Sequence, residues 1–151
     1  TLKKNANILQ VELGLSKSKI ATCASLLGRD PDTLKKNANI LQVELGLSTS
    51  KIAQCASLLT CNPDTLRQKA SWFRQKNMDY ISDPSMLTND LDRMKVNLDF
   101  FTRKCGIPFK SIGKRRITRF KVRQSHKSMV KNLSFMSLSP AEKIRILSTI
   151  D

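Results

Sequence analysis

Carboxylates, aromatics and glycines are scarce in this 151-residue chain. Twelve Asp and Glu stand against twenty-seven Lys and Arg, a formal net charge of +15 and a pI near 10.1. Such an excess points to a polyanionic partner, an anionic surface or an acidic protein. Aromatics make up only 5% of the residues, so a core must be built from Leu, Ile, Val, Ala and Met. The five glycines stand apart from one another, and this speaks against a Gly-rich phosphate cradle. Four cysteines, Cys23, Cys55, Cys61 and Cys105, are too few for a disulfide scaffold and fit a reduced compartment. Cys55 and Cys61 lie six residues apart, wider than the roughly two to four intervening residues of zinc pairs. The single histidine, His126, has no carboxylate near it in sequence, so it is expected on the surface or stacked and not as part of a nucleophilic site. No apolar run approaches the ~20 residues of a membrane span, so no membrane partner is expected. Neither a metal, a cofactor nor an enzymatic activity is expected.

What is present is repetition. The sixteen residues TLKKNANILQVELGLS occur at Thr1–Ser16 and again at Thr33–Ser48. Residues 1–32 and 33–64 differ at five paired positions only: Lys17/Thr49, Thr22/Gln54, Gly28/Thr60, Arg29/Cys61 and Asp30/Asn62. A period of this size marks stacked supersecondary units, none of which buries its apolar face alone. Each unit reads as two helices. Leu34, Ala38, Leu41 and Leu45 form one helical stripe, started by Asp32 or Thr33 as cap and closed by Gly46. Ser48 caps a second helix with the stripe Ile52, Cys55, Ala56 and Leu59, and Pro63 ends it. Cys23 and Cys55 thereby read as core residues. A shortened unit follows at 65–83 and contains one good helix. A fuller one at 84–111 has the stripe Leu91, Met94, Leu98 and Phe101. The fold class is all-α, a superhelical αα-repeat array over 1–111 (units near 1–32, 33–64, 65–83 and 84–111). A basic segment and a C-terminal capping helix complete it at 112–151. In that last helix Ser139, Pro140 and Glu142 form a capping box, and Ile144, Leu147 and Ile150 face inward.

The stretch LGLSTSKIAQCASLLTCNPDTL, Leu45–Leu66, combines Leu-Gly-Leu-Ser, Ile52–Ala53, Leu58–Leu59, Pro63 and Leu66. It resembles the repeat of the mitochondrial transcription termination factor (mTERF) family. LDRMKVNLDFFTRKCGI, Leu91–Ile107, resembles the family's helix leading to Leu-Gly-Ile or Leu-Gly-Leu. The resemblance covers roughly Thr1–Pro108, whereas 112–151 does not match the repeat. It implies a helical superhelix with a basic concave face. It also implies action on nucleic acid in mitochondria or chloroplasts, in transcription termination, transcript processing or ribosome assembly. The chain starts at Thr1 inside a repeat, so a preceding targeting segment stays open.

The charge is uneven. Residues 1–64, 65–113, 114–131 and 132–151 carry +3, +4, +8 and 0. KRRITRFKVRQSHKSMVK, Lys114–Lys131, holds eight cations and no carboxylate. As a helix it sets Arg115, Arg119, Arg123 and Lys127 on one ridge, with Ile117 and Phe120 elsewhere as anchors. As a strand it alternates Arg119, Lys121 and Arg123 with Thr118, Phe120 and Val122. The helix is preferred because all preceding elements are helical. Lys114, Arg115, Arg116, Arg119, Lys121, Arg123 and Lys127 are the main candidates for phosphate contact. Lys3, Lys4, Lys35, Lys36, Arg67 and Lys69 recur at the first turn of successive units and form a second candidate row. The other readings of the basic run are a solvated tail, a targeting signal, or a site for an acidic protein or anionic lipid. Trp72 and Phe73 either fill a gap between helices or, beside Arg67, Lys69 and Arg74, stack on bases. The expected partner is double-stranded DNA or structured RNA; the alternative is a helical scaffold that binds an acidic protein.

Overall fold

The computed structural model describes residues 2–122 and 124–149. Every regular element among them is helical, and they divide into two compact units, Thr1–Thr88 and Asn89–Asp151.

In the first unit, α1 (Leu2–Asn7) continues into a wider turn over Ile8–Glu12, and α2 (Lys17–Thr22) into a tight turn over Ala24–Leu26. The pattern returns 32 residues later. There α3 (Pro31–Asn39) runs into a wide turn at Ile40–Glu44, and α4 (Thr49–Gln54) into a tight one at Ala56–Thr60. The long α5 (Pro63–Gln75) and a tight turn at Pro84–Thr88 complete the unit.

The expected stripe of α3 holds: Leu34, Ala38, Leu41 and Leu45 are all buried. The cap lies two to three residues earlier than the pattern suggested. The Thr33 backbone N–H donates to Asp30 Oδ2 at 2.9 Å, and Pro31 occupies the first helical position, where its missing N–H costs nothing. Asn62 does the same for α5, so Pro63 opens that helix and the preceding one has already ended at Cys61.

Each first helix closes on a turn one residue wider than an α-turn. Leu13 N–H donates to Ile8 O at 3.1 Å, and Leu45 N–H to Ile40 O at 3.0 Å. The extra residue lets Ile40, Leu41 and Leu45 all face inward while Val43 and Glu44 stay outside. Gly14 and Gly46 then reverse the chain at φ +63° and +73°, the left-handed conformation expected of a C′ glycine. Ser16 and Ser48 cap the next helices by accepting from Lys19 and Lys51 N–H at 3.3 and 3.4 Å. The second helix is shorter than the sequence suggested. It breaks at Cys55, whose φ of −122° and ψ of 54° leave the helical region. Cys23 and Cys55 are therefore half-buried at a kink instead of lying fully in the core.

The second unit contains α6 (Leu91–Asp99), which leads into a wide turn at Phe100–Lys104 and the left-handed Gly106. A tight turn at Phe109–Ser111 follows. Then come α7 (Lys114–Arg119), α8 (Gln124–Val130), α9 (Leu133–Met136) and α10 (Pro140–Thr149). Met94, Leu98 and Phe101 are buried as the stripe required. The capping box of α10 is present: Glu142 Oε2 accepts from Ser139 N–H at 2.9 Å, and Glu142 N–H donates to Ser139 Oγ at 3.4 Å. Leu147 is buried and Ile144 half-buried, whereas Ile150 lies outside the described residues.

A feature of the core binds helix to helix. Asn5 Nδ2 donates to Leu27 O at 2.9 Å and Asn37 Nδ2 to Leu59 O at 2.7 Å. Lys69 Nζ donates to Leu87 O at 2.9 Å and Asn97 Nδ2 to Ile117 O at 2.8 Å. His126 Nε2 lies 3.3 Å from Leu147 O. All five side chains are buried. Each reaches a carbonyl in or just after the last turns of a later helix, where a helix leaves carbonyls without intrahelical donors. A buried carbonyl left unmet costs roughly 1–3 kcal/mol, so this donor fixes where each segment folds back.

Candidate nucleic-acid interface

The cations fall into three chemical settings. The first is neutralisation. Lys35 Nζ lies 3.2 Å from Glu12 Oε1, and Arg67 Nε lies 2.6 Å from Glu44 Oε2. Arg67 also meets Asp64 at 2.9 Å. Glu12 and Glu44 are equivalent residues of the 32-residue period, as are Lys35 and Arg67. The same carboxylate–cation pairing thus occurs twice, one period apart. The Arg67 guanidinium holds the Glu44 carboxyl below its ordinary value, chiefly by hydrogen bonding, and Glu44 in turn raises Arg67 further. Of the six cations in the expected row, Lys35 and Arg67 are held in ion pairs. The sequence carried the signal, because Glu12 to Lys35 and Glu44 to Arg67 are both 23 apart.

The second setting is burial. Lys69 is 8% exposed and its ammonium is directed to Leu87 O, so it leaves the candidate set. The physical reason is its register. Position 69 is Asn37 shifted by one period, the buried donor of the segment. Phe73 is likewise core, packed edge-on against Trp72 at 5.3 Å and against Tyr80 at 6.0 Å. This supports the gap-filling role of that pair, with Trp72 left half-buried.

The third setting is open solvent. Lys3, Lys4 and Lys36 are exposed. Lys36 borders a depression of about 410 Å³ with Arg29, Thr33, Asn62 and Pro63, which joins two cations of neighbouring segments. Lys114, Arg115, Arg119, Lys121 and Lys127 are also exposed. Among the described residues no ion pair engages Arg115, Arg119, Lys121 or Lys127.

These last cations do not share one helix. The expected ridge is divided, because α7 stops at Arg119 and the backbone turns extended at Phe120, ψ 144°. Arg123 lies outside the described residues. Packing causes the break. The Phe120 ring stacks on Phe100 at 6.1 Å and tilts against Phe101 and His126, both at 4.9 Å. Asn97 Nδ2 meanwhile donates to Phe120 O at 2.9 Å. Ile117 is buried and anchors α7, as expected. Arg115 and Arg119 keep their i, i+4 relation on the outer face of α7. Arg116 is half-buried and donates to Ser148 Oγ at 3.2 Å, so it faces α10.

His126 is not on the surface. Its exposure is 0%, and it lies beneath the basic segment against Phe100 and Phe120. A carbonyl can only accept, so the contact with Leu147 O places the proton on Nε2. Sequence reasoning saw a polar residue in a polar run and missed its role as a buried donor. Asn5, Asn37 and Asn97 were missed in the same way, although Asn37 falls on the stripe between Leu34 and Leu41.

No helix is long and apolar enough to cross a membrane, and no group of three or more potential metal ligands gathers among the described residues. Set against family models, curated proteins and solved structures, the chain matches none.

Proposed function

We propose that this chain is a nucleic-acid-binding helical-repeat protein whose second unit holds phosphates with Arg115, Arg119, Lys121 and Lys127. Lys114 and, through its free edge, Arg116 extend the same surface. The observation that carries this reading is a contrast in charge compensation. Cations 35 and 67 face carboxylates one segment back, whereas Lys114–Lys131 contains no carboxylate and four of its exposed cations have no ion-pair partner among the described residues. The first turn of α7 carries Lys114, Arg115 and Arg116 and no acid. That is the reverse of what a helix dipole favours, so the uncomplexed chain is electrostatically unfavourable there. A phosphate backbone removes the repulsion and releases counterions. Lys3, Lys4, Lys36 and Arg29 supply weaker contacts in the first unit.

The finer picture rests on the sequence. The resemblance to mTERF repeats, together with the periodic latches, supports a superhelical stack. It also supports a role in organellar transcription termination or transcript processing on duplex DNA or structured RNA, without catalysis by the chain itself. Phosphate contacts supply affinity, and any sequence preference comes from arginines reaching base edges.

The test is binding of a fluorescent DNA duplex and an RNA hairpin across a salt series. The wild-type slope on DNA should be about −0.9 per phosphate neutralised. R115Q/R119Q/K121Q should flatten it by roughly two to three and weaken binding, while R67Q should change it little. A wild-type affinity indifferent to salt, or a triple variant with unchanged affinity, refutes the proposal.

A further inference from the structure

A half-open groove of about 690 Å³ lies in the second unit between α6 with its wide turn and α8. Its apolar lining is Val96, Phe100, Val122 and Val130; its cationic lining is Lys104, Lys127, Lys131 and Lys95, the last also 3.9 Å from Asp92. The single carboxylate in the lining, Asp99, is already 3.1 Å from Arg103. Val96 is 57% exposed, an apolar side chain left in water inside a concave, cationic frame.

We propose that this groove docks an acidic amphipathic helix of a partner protein. The apolar lining argues against nucleic acid as occupant. Its accessible side chains are aliphatic, and Phe100 is buried to 5% exposure, so no ring face is offered for base stacking. A phosphate held by the lysines would leave the valines uncovered, because it has no apolar surface to set against them. An amphipathic helix satisfies both parts. Its apolar residues at i, i+3, i+4 and i+7 cover the valines, and flanking Glu and Asp meet the four lysines. The groove runs between two helices, the shape such a ligand fits. This surface is distinct from the Arg115–Arg119 face of α7, and only Lys127 is common to both.

The probe is a fluorescent peptide of roughly eighteen residues, with Leu at those spacings and Glu on both flanks. It is titrated into the full chain by anisotropy beside a scrambled peptide of the same composition. The amphipathic peptide should bind at least about tenfold more tightly than the scrambled one. V96E should lower its affinity about tenfold or more while leaving DNA affinity within roughly twofold, since Val96 is exposed and its replacement spares the core. Circular dichroism checks that V96E stays folded, and K95E/K131E offers a second variant outside the core. Equal binding of both peptides, or V96E binding the amphipathic peptide like wild type, overturns the inference. So does saturation by oleate or anionic vesicles with no binding of the peptide, which would assign the groove to a lipid amphiphile. If DNA binding fails while V96E-sensitive peptide binding persists, the nucleic-acid reading falls and this one stands.

Discussion

Lys69 Nζ donates to Leu87 O at 2.9 Å inside the core of the first unit. It occupies the register from which Asn37 reaches Leu59 O 32 residues earlier, a lysine where Asn5, Asn37 and Asn97 place an amide. A lysine's reach compensates for the shorter segment, whose last turn lies 18 residues away instead of 22.

Removing these donors should destabilise the fold without touching an exposed cation. Asn97→Ala leaves the Ile117 and Phe120 carbonyls without their donor. Each net bond contributes about 1 kcal/mol and each orphaned group costs more, so a loss of roughly 2–4 kcal/mol is expected. Urea unfolding by circular dichroism should show a lower midpoint with an unchanged m-value. A loss below about 0.5 kcal/mol would contradict the latch.

Lys69→Met retains the aliphatic stem and deletes the ammonium. The Leu87 carbonyl is then unmet, and the expected cost is about 1–3 kcal/mol. The same variant should leave the salt dependence of DNA binding unchanged, because the buried ammonium contacts no phosphate. A shallower slope would return Lys69 to the interface.

Acid should weaken the chain through three carboxylates. Asp30 is lowered by hydrogen bonds from Thr33, Glu44 by Arg67 and Glu142 by Ser139. A depressed folded-state value contributes stability that is present above the unfolded value and lost as pH falls through the folded one. Those unfolded values are 3.8 for Asp and 4.5 for Glu. Melting temperature should stay flat from neutral pH to about pH 5.5 and fall below about pH 4. Glu44→Gln should remove part of that fall, and an unchanged acid limb in this variant would reject the pairing.

Thiol chemistry should separate the cysteines. Burial pushes the Cys105 thiol up to about 11, although the nearby Lys143 ammonium works against it. Its stability contribution is full below the ordinary 9.0 and lost as pH rises through about 11. Iodoacetamide at pH 8 should label Cys23 well before Cys105, followed by mass spectrometry of peptides. Equal rates would show that the Cys105 site opens freely.

Gly14→Ala and Gly46→Ala should each cost about 1 kcal/mol, because both hold a positive φ and neither would bring a new Cβ closer than 3.9 Å to a neighbour. Thermal melts of both variants should shift alike. A much larger shift in one would point to a steric cause that the geometry does not contain.

Local chemistry was legible from residue order. Ser48 as cap, Gly46 at positive φ, the Leu34–Leu45 stripe and the Ser139–Glu142 box depend on neighbours within a few residues, so composition and spacing determined them. The same holds for the all-helical character and for the concentration of charge at Lys114–Lys131. Which cations remain available was decided only in three dimensions. Glu12 meets Lys35 across 23 residues of chain, Asn97 and the aromatic cluster break the basic helix at Phe120, and His126 turns inward to Leu147. The first is a surface ion pair that a cation makes with the preceding period; in the other two, inside a close-packed core, the distant partner prevails because an unmet buried polar group costs more than a broken helical turn.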